Sequence, residues 1–189
     1  MSQAAAKNTQ SSKFSVREIC YTGLFAAVIA VMAHISIPMP LGVPMTMQTF
    51  AITLAAVVLG SKLSAMASLV YLILGAVGVP VLASFSGGID KFVGPTGGFL
   101  ISFPLMAYII GLGVEHRNAF KGAFPLAVVV GTVVNYIVGV ILFVIVAHST
   151  VAVAISACVL PFIPTAIIKA VLACAIGLNI RKRIPGLKA

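Results

Sequence analysis

Residues 161–177 read PFIPTAIIKAVLACAIG, and a single side chain in that run, Lys169, carries a charge. An ammonium within an apolar membrane helix costs roughly 2.5–3.5 kcal/mol at the bilayer centre, so such a residue usually faces a cavity or a protein interior. Thr165 and Ala173 lie four residues to either side of it and Ala166 three before, which leaves room beside the lysine on that face. A small-walled cavity with one buried cation suits an anionic ligand. The competing reading is snorkelling, in which the long stem carries the ammonium to nearby headgroups.

Other polar groups stand out against the same apolar background. Gln48, in PMTMQTF, either exchanges hydrogen bonds with an amide-like ligand or caps the entry of a helix. Asn135 and Tyr136 sit where Gly131 and Gly139 flank the asparagine by four residues, a pattern open to two readings, a helix-packing seam or a ligand site. In GPTGG, Gly94, Thr96, Gly97 and Gly98 offer close backbone approach to a ligand, or simply start a helix. Asp90 lies in the preceding loop beside Lys91.

What is missing narrows the chemistry. The three acids, Glu18, Asp90 and Glu115, all lie in or beside loops, so no carboxylate dyad and no intramembrane acidic proton relay can be assembled. His34, His116 and His148 are scattered at segment boundaries, and Cys20, Cys158 and Cys174 have no metal-ligand spacing and read as packing residues. The GxxxxGK[ST] nucleotide loop is absent from the sequence. These features argue against a membrane hydrolase, a metal-dependent phosphotransferase or an ATPase, and predict neither a catalytic residue nor a metal or cofactor in this chain.

The elements that must position these groups follow from composition. The 189 residues are 61% hydrophobic and 8% charged, with a mean hydropathy of +1.19, which defines an integral membrane protein rather than a soluble domain. A bilayer core of about 30 Å needs roughly 20 apolar residues per helix. Breaks in polarity give six spans, 16–37, 44–60, 63–78, 95–114, 122–147 and 164–180, of which the second and third are short. Strict alternation is absent, which argues against a barrel. The expected class is an all-α six-helix bundle forming one domain over 15–189, after a flexible tail at 1–14. No cleavable leader and no internal repeat are evident.

Ten of the twelve lysines and arginines fall before helix 1, in the second and fourth loops, or after helix 6. By the positive-inside rule both termini are cytoplasmic, and the same basic residues can meet anionic lipid headgroups. With that topology Lys169, five residues past Pro164, lies about 7–8 Å into the helix from the outer side. Gln48 and the loop 86–99 converge on the same leaflet. In helix 1, Ala26 and Ala30 in AAVIA form a small-residue pair of the kind that lets helices approach closely in lipid.

The run VYLILGAVGVPVLASFSGGIDKFVGPTGGFLISFP at 70–104, followed by PFIPTAIIK at 161–169, resembles the BioY family, the biotin-specific substrate-binding (S) components of energy-coupling factor (ECF) transporters. The likeness covers nearly the whole chain. It implies a non-catalytic six-helix subunit that binds biotin near its outer face and works with a transmembrane coupling protein and two cytoplasmic ATPases. On that reading Ala26 and Ala30 match the helix 1 docking motif, and Lys169 matches a binding-site lysine suited to a carboxylate. Gln48, Asn135, Thr165 and the 94–98 backbone are then candidates for the ureido ring. One position departs from the family pattern: Ala166 stands where relatives often carry an acid, so Lys169 lacks its nearest local counter-ion and leans on water or Asp90. The rivals are a self-sufficient secondary carrier and an S component for another carboxylate-bearing vitamin.

Overall fold

The computed structural model describes residues 15–39, 42–118 and 122–184; the tail expected at 1–14 lies outside them. Helix α1 (Val16–His34) starts where Glu18 accepts the Ser15 backbone N–H at 2.8 Å, half of a capping box. A short antiparallel hairpin follows, β1 (Ser36–Ile37) with β2 (Met45–Thr46), Ser36 opposite Thr46. Then come α2 (Gln48–Leu59) and α3 (Ser61–Ala76), a loop holding a tight turn at Ala83–Phe85 and the single turn α4 (Asp90–Val93), α5 (Gly97–Glu115) and α6 (Ala123–Val146). The chain ends with α7 (Val151–Cys158), a 3-10 turn at Leu160–Phe162 and α8 (Ile163–Arg183).

Several boundaries differ from those the sequence predicts, each for a local reason. The second span begins at Gln48 rather than 44, because the residues before it pair as β2. The hairpin thus takes up the facing ends of the first two predicted spans. Beyond the fifth predicted span, 151–158 are helical as well, with the Thr150 hydroxyl accepting the Val153 N–H at the first turn. Of the cysteines read as packing residues, Cys158 is buried and Cys174 half-buried, but Cys20 faces outward.

Helix α2 is the axis of the bundle. It is apolar all round, 11 of its 12 residues are buried, and it touches α1, α3, α5 and α8, as expected of a helix hydrophobic on every face. Around it, α1, α3, α6 and α8 turn large apolar side chains such as Leu24, Ile73, Ile141 and Ile167 outward. Four helical stretches, Val16–His34, Gly97–Glu115, Ala123–Val146 and Val151–Arg183, are long and apolar enough to cross a membrane, while α2 and α3 are shorter apolar helices.

Helices α2 and α3 meet at one residue, Gly60, whose φ of +85° suits glycine. The turn lies between a half-buried carboxylate and a buried guanidinium that complete the helix ends. Glu115, at the end of α5, accepts the Ser61 backbone N–H at 2.7 Å and the Ser61 hydroxyl at 2.9 Å. Arg181, near the end of α8, donates to the carbonyls of Val57 at 3.3 Å and Val58 at 3.0 Å. A carboxylate at a helix start and a guanidinium at a helix end are the charge signs that the peptide dipoles favour. Arg181, read from sequence as part of a topology signal, is thus also a buried cap.

Close approach of α5 to this turn depends on Gly111, where an added Cβ would overlap the backbone of Ser61, whereas a Cβ on Gly23 of α1 would meet nothing within 4 Å. Backbone cannot swing aside as a side chain can. Gly111→Ala is therefore expected to cost about 1–3 kcal/mol, the range for overpacking a core. Gly23→Ala should leave stability unchanged, and thermal unfolding of the two purified variants checks the contrast.

Candidate functional site

At the hairpin end of the bundle the helices part around a cavity of about 300 Å³, at the lower end of the range for small-molecule sites. Its walls come from β2 and the loop before it, the first turns of α2 and α5, the loop 82–86, the middle of α6 and the first two turns of α8. Lys169 lies on this cavity and its ammonium donates to the Thr46 carbonyl at 2.7 Å. This bond joins α8 to the hairpin and points the amine into the protein, which decides between the two readings of the lysine against snorkelling.

The Thr46 residue that receives this bond is itself held by a chain of polar contacts. Its hydroxyl donates to Gln48 Oε1 at 2.8 Å, and Gln48 Nε2 donates to the Tyr71 hydroxyl at 2.5 Å. Gln48 is buried at the first position of α2, so it touches the cavity while both ends of its amide are already engaged. Its principal work is to fix the hairpin on α2 and α3.

Asn135 is 2% exposed and its orientation can be deduced. Pro104 gives α5 no N–H at its position, and in the turn preceding it the Phe99 carbonyl accepts both the Ser102 hydroxyl at 3.0 Å and Asn135 Nδ2 at 3.1 Å. The Ser102 proton is thereby committed, so its oxygen accepts the second Asn135 amide proton at 2.7 Å. With both protons engaged, the Asn135 oxygen has no protein donor among the described residues and is left for the cavity, which Asn135 lines. Tyr136 and Thr165 line it too; the Thr165 hydroxyl donates to the Phe162 carbonyl at 2.9 Å and keeps its lone pairs available. Leu82, Phe99, Leu100, Phe103 and Phe162 supply an apolar belt around these polar groups.

The structure thus brings Lys169, Thr165, Gln48, Asn135, Tyr136 and Thr96 to one cavity, together with Ala166. Gly94, Gly97, Gly98 and Asp90 do not line it. The Gly97 N–H already bonds the Gly94 carbonyl at 2.9 Å. A Cβ on Gly97 would overlap the Phe92 backbone, and one on Gly98 would lie within 2.5 Å of the Val138 carbonyl. These two glycines allow close packing of the loop and of α6. Asp90 is exposed and pairs with Lys91 at 2.9 Å; the hydrogen-bonded ammonium holds its carboxyl below the usual carboxylate range. The partner Lys91, not singled out from sequence, is the residue of that pair that lines the cavity.

In helix 1, Ala26 is 3% exposed, while Ala30 is half-buried at the edge of the core. The fully outward small residues one turn apart on the same helix are Gly23 and Ala27.

The fold defines a class, a multi-pass helical membrane protein with a partly open cavity at one end of the bundle. The comparisons give the family. The BioY family model matches residues 6–186. The chain is 42% identical over 168 residues to a biotin transporter BioY of Thermotoga maritima, covering 88% of this chain and 97% of that one. It is 34% identical over 186 residues to a biotin transporter BioY of Rhizobium etli, covering 93% and 98%. A crystal structure at 2.1 Å described as the S-component for biotin from an ECF-type ABC transporter superimposes with a TM-score of 0.80 at 27% identity, over 88% of this chain and 92% of that one. The chain belongs to the BioY family.

Because Tyr71 is fully buried and accepts the Gln48 amide, Tyr71→Phe removes an acceptor and strands a donor. The expected cost is about 1–3 kcal/mol, read as a lower unfolding temperature in detergent.

Proposed function

We propose that this chain captures biotin at the outer face of the cytoplasmic membrane and is the substrate-binding subunit of an ATP-driven ECF-type transporter. The observation that carries the reading is the cavity lined by both Lys169, directed inward, and Asn135, whose amide oxygen has no protein donor among the described residues, in a member of the BioY family. Biotin offers a carboxylate, a ureido ring with two N–H donors, and an apolar remainder. In this reading the Lys169 ammonium pairs with the carboxylate, a charge-assisted bond strengthened by partial exclusion of water. Asn135 accepts a ureido N–H, Thr165, Tyr136 and Thr96 supply the remaining polar contacts, and the aromatic belt encloses the apolar part. Binding of this kind needs no covalent step, so the chain acts without catalysis.

The topology that accompanies this reading has six spans, α1, α2, α3, α5, α6 and α8, with both termini inside. The cavity then opens outward, and Lys62, Arg117, Lys182 and Arg183, all exposed, lie at the cytoplasmic end beside anionic lipid headgroups. ATP is hydrolysed by two cytoplasmic partner subunits, reached through a transmembrane coupling protein. The outward face of α1 at Gly23 and Ala27 is the surface suited to that protein, because small residues admit a crossing helix closely.

Lys169→Met should leave the helices folded, release the hairpin from α8, and weaken biotin binding about 10- to 100-fold, the worth of one hydrogen bond to a charged group. Titration calorimetry on the purified variant measures this, with Lys91→Met run beside it. A loss confined to Lys91→Met would move the carboxylate to that second ammonium. In a separate assay, Gly23→Leu combined with Ala27→Leu should spare biotin binding and abolish co-purification with the coupling protein. Gradient-driven biotin uptake by this chain alone in proteoliposomes would count against the ATP-driven reading.

A further inference from the structure

The loop between α3 and α4 has an unusual backbone for a cavity wall. Ser84 and Phe85 both hold φ at 56°, the left-handed region in which a side chain crowds its own carbonyl. Two successive non-glycine residues stay there only where their surroundings enforce it, and such strain gathers at clamps and switches. The same stretch, with Leu82, Ala83, Ser84 and Ser86, forms one side of the cavity.

What enforces the conformation comes from the tip of α1. The Phe85 ring is 70% exposed and has little hold on its own loop. It lies on the imidazole of His34, the last residue of α1, with ring centroids 3.9 Å apart and planes at 39°. Two residues beyond the helix, the Ser36 hydroxyl meets the Ser84 hydroxyl at 3.0 Å. The loop closes on itself through the Leu82 N–H to the Ser86 carbonyl at 2.9 Å and the Ser86 hydroxyl to the Ala83 carbonyl at 2.7 Å. His34 Nδ1 is buried and has no hydrogen-bond partner among the described residues, so this ring serves the contact through its face.

We propose that His34, Ser36 and Phe85 are positioning residues that clasp the 82–86 wall shut over the cavity against its own backbone strain, and so set how long a bound ligand is retained. The wall is thereby tied to α1, the helix whose outward face is assigned above to the coupling protein. The proposal rests on the biotin reading only for the identity of the retained ligand.

The clasp is tested first without ligand, by hydrogen exchange of the purified full-length protein in nanodiscs. Phe85→Ala and His34→Ala should speed exchange across 82–88 about two- to tenfold, the range for loss of one aromatic contact, with α2 and α5 unchanged. His34→Phe, which keeps a ring at the contact, should restore the slow rate. Ser36→Ala and Ser84→Gly both lose the hydroxyl pair, but only the second relieves the strained φ, so Ser84→Gly should exchange more slowly than Ser36→Ala. In the second arm, dissociation of labelled biotin should accelerate in Phe85→Ala with association little changed. Unaltered exchange in the two alanine variants, or equal exchange in Ser84→Gly and Ser36→Ala, overturns the clasp whatever the ligand does. Failure of the parent protein to bind biotin overturns the proposed function instead, and leaves the exchange result to decide the clasp.

Discussion

The bond from the Lys169 ammonium to the Thr46 carbonyl, 2.7 Å long and joining residues 123 positions apart, is what turns a helical bundle into a receptacle. It pulls the hairpin across the end of α8, and the hairpin in turn is seated on α2 and α3 through Gln48 and Tyr71. A lysine in this place meets two demands with one side chain. One donor stabilises the architecture, and the remaining donors, held in a partly dry site, are available to an anion. A charge kept from water is costly unless it is bonded, and the Thr46 carbonyl supplies that bond within the protein.

The far end of the bundle solves a different problem by similar means. A one-residue turn between α2 and α3 leaves helix termini close together inside the protein, where unsatisfied backbone groups are expensive. Glu115 and Arg181, brought from α5 and α8, complete them. The buried polar side chains at the two ends thus hold the ends of α2, and the apolar surfaces between need only pack. Small residues in the contacts, such as Gly111 against Ser61 and Gly177 against Val57, allow that packing where lipid gives helices little hydrophobic reason to associate.

Much of this was legible in the sequence, and the exceptions have physical causes. Lys169 and Asn135 stood out because a polar group in a lipid-soluble helix needs a reason. The phenylalanines and leucines of the cavity belt did not, since in a chain meant for lipid an apolar residue carries no information about which way it faces. At Gly97 and Gly98 the sequence leaves two readings open, because a glycine that admits a ligand and one that admits a neighbouring helix look alike. Ala26 with Ala30 and Gly23 with Ala27 share one small-residue spacing, and only the rotation of α1 in the bundle separates the more buried pair from the outward one. Residues 151–158 were missed as a helix because seven apolar residues and Ser156 beside a longer span show no separate period, although Thr150 was a start signal that could have been used.

The fixed amide of Asn135 has one more consequence. Ser102 and the Phe99 carbonyl hold both of its protons, so the group cannot rotate to offer a donor in place of its oxygen without breaking two bonds at once. The cavity consequently has a direction of polarity at this point. In the proposed function, a compound that presents an ether or ester oxygen there would set lone pair against lone pair and would be disfavoured on hydrogen-bond sign, even where its size and charge were acceptable.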